Sequence, residues 1–351
     1  MKNDKAPQAL RILSFVGIVI CMLMTSCDDI HQYPDKKIPF VLHLDYDTNM
    51  PLYKLVEYNE SLRSSVNEDY DVRYIVRVFP DDESREVIYE EVFIKDDITE
   101  LNNSVTLLLK KGNYKFMVWT DYVVAGTTED LFYDTRQFES VMLKGDKHIG
   151  SNDLRDAFNG AVISEVSADV TEADVLMWRP MAKFDFVSVD LESFIEYMAA
   201  LNAQKENENV VAKGEADNKG TGSVSEIVNL SDLTVLFRYH GFMPSSMNLH
   251  TNKTRDSQTG VTFTSQVTRL NETEAGMGFD YVFVNETESK ITISVEVYDK
   301  AGVMVSSFAP IEVPIARSKL TTVKANFLTS QADGGVAVVP EFKGEINYEV
   351  E

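Results

Sequence analysis

Side chains able to do covalent, acid–base or metal chemistry are few and scattered in this sequence, apart from one cysteine. The five histidines are His31, His43, His148, His240 and His250. None stands at i, i+4 from another or at ligand spacing from a carboxylate, so a zinc site has no pattern to rest on. Asp45 and Asp47 are close enough to suggest calcium, but they lack the glycine and terminal glutamate of an EF-hand loop, and a solvated strand end explains them. No glycine–serine nucleophile elbow occurs. With 56 acidic residues some close carboxylate pair is inevitable, so a glycosidase pair cannot be inferred. Trp119 and Trp178 could stack a sugar, yet each lies in an apolar context that favours core packing. The sequence thus names no catalytic residue, no metal ligand and no cofactor, and it reads as a non-enzyme. There remain two cysteines, Cys21 and Cys27. Cys27 follows Met24-Thr25-Ser26 at the end of a short apolar run.

The run Ile12 to Met24 is almost wholly apolar, and Lys2, Lys5 and Arg11 precede it. That is a charged n-region before an apolar h-region. The run is too short for a membrane span, which needs about 20 residues. It predicts a cleaved signal over residues 1–26. The small residues Thr25 and Ser26 before Cys27 resemble the bacterial lipobox, with Met24 where the commonest form has leucine. The resemblance implies lipid on the Cys27 thiol, cleavage between Ser26 and Cys27, and acylation of the new amino group. An ordinary secretory signal with a chance cysteine is the bland alternative. Two or more fatty chains anchor a protein stably, at about 0.8 kcal/mol per buried methylene. Asp28 and Asp29 resemble the surface-export signal of Bacteroidetes lipoproteins. Residues 27–38 are polar with Pro34 and read as a lipid-anchored tether.

The chain has 351 residues, enough for two domains, and its formal charge is −23. Removing the signal makes the body more acidic still. Such a surface repels nucleic acid and anionic headgroups. With Cys21 in the signal and Cys27 as lipid site, the mature chain has no internal disulfide, so hydrophobic burial must hold it together.

The hydrophobic pattern is mostly period two. Phe40, Leu42, Leu44 and Tyr46 alternate with polar neighbours, as do Val72, Tyr74, Val76 and Val78 with Arg73 and Arg77 opposite. Further strands are expected at Val87 to Ile94, Val105 to Leu109, Tyr114 to Thr120 and Phe138 to Leu143. Tyr114 to Thr120 is apolar on both faces and suits a central strand. Leu154 to Phe158 reads as a turn or short helix. About seven short strands then define an N-terminal β-sandwich, residues 39–173. The C-terminal one, residues 174–351, opens with a strand at Met181 to Val189. Leu191, Phe194, Ile195, Met198 and Leu201 form a helical stripe, predicting one short helix over Leu191 to Gln204. Lys205 to Ser225 is polar and reads as a mobile loop. Strands follow at Leu233 to Tyr239, Phe279 to Val284, Ile291 to Val297, Ile311 to Ile315, Thr321 to Leu328 and Val336 to Val339. Asp299 to Gly302 is a hairpin turn.

Four stretches carry a family resemblance. Gly112-Asn-Tyr-Lys-Phe-Met-Val-Trp-Thr-Asp-Tyr122 resembles a strand motif of the Bacteroidales fimbrillin-like lipoproteins. Met177-Trp-Arg-Pro-Met-Ala-Lys-Phe-Asp185 is similar to the segment opening their second domain. Tyr239 to Ser246 and Val313 to Thr329 resemble a loop and the closing hairpin. The resemblance is to the anchor and accessory subunits of type V pili. It implies an all-β fold of two tandem transthyretin-like β-sandwiches, other fimbrial subunits as partners, assembly by strand complementation, and a lipid-anchored, surface-exposed place on the cell outer membrane. It also implies that a protease could cut after an arginine in the loop behind the first strand. Here that is Arg63, expected to stay uncut in an anchor. Ser330 to Glu351 is then the candidate donor strand, or simply the end of the second sandwich. The alternative reading is a monomeric surface lipoprotein that binds glycan or a host protein through loops such as Lys205 to Ser225.

Overall fold

The computed structural model describes residues 36–47, 70–82, 84–95, 103–201, 229–330 and 345–349. The chain is all-β, with one α-helix among these residues, at 191–201. The first strands are β1 (Ile38–Tyr46), β2 (Tyr70–Pro80), β3 (Tyr89–Lys95), β4 (Asn103–Leu109) and β5 (Gly112–Val124). The short β6 (Tyr133–Asp134) and β7 (Val141–Leu143) follow, then β8 (Phe158–Val166) and β9 (Glu172–Met177). Two sheets, ordered β4-β1-β9 and β3-β2-β5-β8, face each other. Alternation fixes what lies between them. Phe40, Leu42 and Leu44 are fully buried and share one core with Val72, Tyr74, Val76, Val78, Phe116 and Val118. The Phe40 and Phe116 rings stack at 5.0 Å.

The second set comprises β10 (Met181–Ser188), β11 (Thr234–Tyr239), β12 (Phe242–Pro244), β13 (Ser246–Asn248), β14 (Lys253–Thr254), β15 (Ser257–Thr259), β16 (Thr262–Gln266) and β17 (Thr268–Arg269). It ends with β18 (Ala275–Phe283), β19 (Glu288–Tyr298), β20 (Met304–Ala316), β21 (Leu320–Ala325) and β22 (Glu345–Glu349). The sheets β17-β18-β10-β21-β22 and β16-β11-β19-β20 enclose a second core, built on Phe184, Phe186, Phe237, Val295 and Val323. The helix adds Leu191 and Phe194, both fully buried, as its apolar stripe predicts. At the hairpin before β20, Asp299 accepts from Ala301 and Val303 backbone N–H groups and Gly302 takes φ +76°.

A third core joins the two sandwiches. The outward residues of β2 and β5, Ile75, Phe79, Met117 and Trp119, pack with Met181, Tyr281, Phe283 and Leu320. Residues from both halves also build one small sheet, β14-β13-β7-β6, in which Met247 pairs with Val141. This explains why β2 is buried on both faces despite its alternating pattern.

Several elements differ in extent from the sequence reading. The strand expected at Phe138 to Leu143 is only Val141–Leu143, because Phe138 leaves the extended path to fill the junction core. That expected from Val87 begins at Tyr89. The Thr321 to Leu328 strand ends at Ala325, beyond which Asp190 holds the chain by accepting from the Thr329 backbone at 2.8 Å. β9 straddles the 173/174 position and stays paired, parallel, with β1 as far as Met177. The expected strand at Val336 to Val339 and the expected loop Lys205 to Ser225 lie outside the described residues.

Candidate functional site

Ser26, Cys27, Asp28, Asp29 and Arg63 all lie outside the described residues. What the structure places is β1, the strand that follows the stretch expected to be the tether. β1 is the central strand of its sheet, antiparallel to β4 and parallel to β9. It is hydrogen-bonded along both edges, and its inward side chains are core.

The densest chemistry lies where the sandwiches meet, and a single turn organises it. Asn152 caps a 3-10 turn, Asp153–Arg155, by accepting from the Leu154 backbone N–H. The segment Asp153-Leu154-Arg155-Asp156 then offers acid, base and acid to the second sandwich. Asp153 accepts from Lys183 Nζ at 2.6 Å and from the Tyr281 hydroxyl at 2.9 Å. The Lys183 ammonium also sits 4.1 Å from the centre of the Phe279 ring. Arg155 donates to Asp280 of β18 and to the Ile149 carbonyl. Asp156 accepts two parallel bonds from the Arg179 guanidinium, from Nε and Nη2, each 2.8 Å. Arg179 belongs to the connection between β9 and β10 and lies over the Phe158 ring at 4.4 Å. Its backbone N–H donates to Ser318 Oγ at 3.0 Å.

Asp280 is a heavily bonded carboxylate of this junction, accepting four hydrogen bonds. One oxygen accepts from Arg155 and from the Tyr281 backbone N–H, the other from the Tyr239 hydroxyl at 2.7 Å and from His148. Burial pushes this carboxyl up, but the charges of Arg155 and His148, and the His148 and Tyr239 hydrogen bonds, outweigh it and hold it below the usual carboxylate range. Burial, then the Asp280 charge, raises the Tyr239 phenol well above its usual value. His148 and Asp280 thus form a histidine–carboxylate pair that spacing in the sequence does not reveal. Among the described residues, no serine or cysteine nucleophile is bonded to that histidine, whose contacts run to Asp280 and Arg155. The arrangement can hold two sandwiches in one relative orientation.

A second buried network lies on the outward face of β2. Arg73 makes a bidentate pair with Asp121, at 2.9 and 2.7 Å, and reaches Asp130 at 2.9 Å. The Arg77 guanidinium sits 4.3 Å over Phe138. Of the residues singled out for sugar stacking, Trp119 is fully buried, while Trp178 lies under Arg317 at 4.7 Å. His43 is exposed near Glu172, as a polar strand face predicts. Among the described residues, no group of three or more histidine, cysteine and acidic side chains could hold a metal, and no helix is long and apolar enough to cross a membrane.

Fold and junction together define a two-sandwich β-protein locked by internal ion pairs. The sequence matches, over residues 39–351, the family described as a family of unknown function, DUF6562, and the chain belongs to that family. No curated protein matches it. Among solved structures it is similar to a candidate adhesin from Bacteroides thetaiotaomicron, at 13% identity and a TM-score of 0.45, covering 85% of this chain and 94% of that one. It is also similar to the fimbrial anchor protein Mfa2 from Porphyromonas gingivalis, at 10% identity and a TM-score of 0.38, covering 77% and 81%. A fimbrial assembly protein from Parabacteroides distasonis is similar at 12% identity and a TM-score of 0.37, covering 86% and 95%.

Proposed function

We propose that this chain is a structural subunit tied to the cell outer membrane by lipid on Cys27, exposed at the surface, and working in a fimbrial assembly as an anchor or accessory piece. The observation that carries this reading is the place of β1. The first strand after the tether is bonded on both edges, and Phe40, Leu42 and Leu44 are fully buried. A pull on the lipid therefore acts on a strand that cannot leave without stripping the core and unpairing two neighbours. That suits a subunit that keeps its first strand, with Arg63 uncut. The junction core and its ion pairs support a stiff body that passes force between the two sandwiches.

Partners on this reading are the membrane, through the covalent lipid, and other fimbrial subunits, through strand addition at a sheet edge. Ser330 to Glu351 remains the candidate donor. The position of β22 beside β21, at the end of its sheet, supports the simpler role of closing the second sandwich. The acidic surface disfavours nucleic acid.

Shearing filaments from whole cells and sequencing the protein that comes with them tests the proposal. The expected species is lipid-modified and begins at Cys27. A major species beginning at Ser64 would make it a polymerising stalk subunit instead. Absence from both filaments and the protease-accessible cell surface would sink the reading.

A further inference from the structure

The edge strand of a sheet carries a row of backbone N–H and C=O groups without strand partners, and natural sheets blunt such edges with charge, proline, bulges or cover. This chain does so at its longer described edges. β3 carries Glu90, Glu91 and Lys95. β20 carries Pro310 and Pro314, and its register against β19 shifts twice. β8 and β9 meet where Asn159 and Trp178 exchange backbone hydrogen bonds, each 2.9 Å, and they carry Glu165, Glu172 and Asp174.

β4 has none of these devices. Its seven residues, Asn-Ser-Val-Thr-Leu-Leu-Leu, include no charge, proline or glycine. It pairs with β1 in unbroken register, from Ile38 opposite Leu109 to Leu44 opposite Asn103. No described strand pairs with its other edge. Leu107 and Leu109 are buried in the core and Val105 is half-buried, while Ser104, Thr106 and Leu108 are exposed.

Charge decides what can cover this edge. Copies of a chain with net charge −23 repel one another, so they can meet only where like charges do not face each other. The uncharged β4 is such a place. The sheet is also polarised along its strands. Lys36, Lys37, Lys110 and Lys111 lie at the end where Ile38 meets Leu109. Asp45 and Asp47 lie past the other end, where Leu44 meets Asn103. Two parallel copies would set like ends together. Two antiparallel copies set the lysine end of each against the aspartate end of the other. A two-fold axis through Thr106 gives that arrangement. Thr106 then meets the partner's Thr106, and Val105 meets the partner's Leu107, apolar against apolar on the core side.

We infer that two copies of this chain pair antiparallel through β4, fusing two three-stranded sheets into one continuous sheet. The contact stands whether or not the chain enters a fimbria, because it uses neither the tether nor a strand that must leave.

Residues 27–351 carrying Cys27→Ala have no other cysteine and no site for lipid, so they test this in plain buffer. Analytical ultracentrifugation should show monomers passing to dimers as concentration rises. Thr106→Lys, which sets two ammonium groups at the axis, should stay monomeric at the same concentrations with an unchanged urea midpoint. Under oxidation Thr106→Cys should give a disulfide-linked dimer, because directly opposed strand residues sit about 4.5–5.5 Å apart between Cα atoms, within disulfide reach. Val92→Cys, on the charged edge of β3, should not. The proposal is wrong if the chain stays monomeric to about 1 mM, or if folded Thr106→Lys dimerises as the parent chain does. It is equally wrong if Thr106→Cys gives no linked dimer, or if Val92→Cys links as readily.

Discussion

Arg155 and Asp280 stand 125 positions apart and meet in the interior, guanidinium against carboxylate, with neither side chain more than 3% exposed. This pair fastens a turn of the first half to a central strand of the second. A buried pair adds little net stability over a well-packed apolar one, because removing two charges from water is costly. Breaking it from one side is another matter. Asp280→Ala should lose about 3–5 kcal/mol, since it leaves Arg155, His148 and Tyr239 facing a void. Urea unfolding of the two proteins measures the difference. The double variant Arg155→Met with Asp280→Leu should recover part of it.

His250 sets a pH dependence on the acid side of neutrality. Burial lowers this imidazole below its usual value, and Lys115 and Arg85 add to the effect against Glu139. A base with a lowered folded pKa takes up its proton less readily folded than unfolded. Its contribution is therefore complete above the unfolded value, about 6.5, and is lost as pH falls from there to the lower folded value. The stability difference between wild type and His250→Gln should shrink over that window and be flat above it. Thermal melts at stepped pH check this.

Gly160 is held to its size by neighbouring backbone. A Cβ there would come within 2.6 Å of the Leu176 carbonyl oxygen and 2.6 Å of a Val175 methyl, where β8 passes close to β9. Both neighbours belong to strands that cannot yield freely. Gly160→Ala should destabilise the chain by about 1–3 kcal/mol, as overpacking in a well-filled core does. A folded variant with an unchanged urea midpoint would contradict the close approach.

Leu42 is fully buried at the centre of β1. Leu42→Ala should cost about 2–5 kcal/mol in urea unfolding. If β1 were a strand that leaves during assembly, assembled protein would tolerate the change. As a retained strand it should lose surface display as it loses stability, which whole-cell labelling can read.

Cys27→Ala should free the protein from membranes or leave it unprocessed. Membrane fractionation with intact-mass analysis checks both. A mature N-terminus elsewhere, without lipid, would contradict the lipid anchor.

The strands that alternate cleanly were legible because one face meets a core and the other meets water. β1 and β19 are of this kind. Arg73 and Arg77 follow the same pattern in β2, yet both are buried, since a second layer covers that face and supplies Asp121, Asp130 and the Phe138 ring. A sequence pattern records polarity, and polarity alone cannot distinguish a solvated arginine from one paired inside. The turn at residues 153–156 was visible only as mixed polar and apolar residues. Its meaning depends on Lys183, Arg179 and Asp280, which lie 23 to 125 positions away. The small strands between residues 242 and 269 were missed because each is two to five residues long, too short for a period to register.

The parallel pairing of β1 with β9 also sets an order of events. His43 and its neighbour Glu172 are separated by 129 positions, and no hairpin can bring their strands together. Contacts of such long sequence separation form late and slow the whole transition. A chain delivered N-terminus first thus presents the earliest-made strand with its last-made neighbour. Until that neighbour arrives, one edge of β1 is open, and the lipid anchor proposed above would concentrate neighbouring copies around it. Closure within one molecule then races against exchange of β1 between molecules, and the two outcomes bury the same residues.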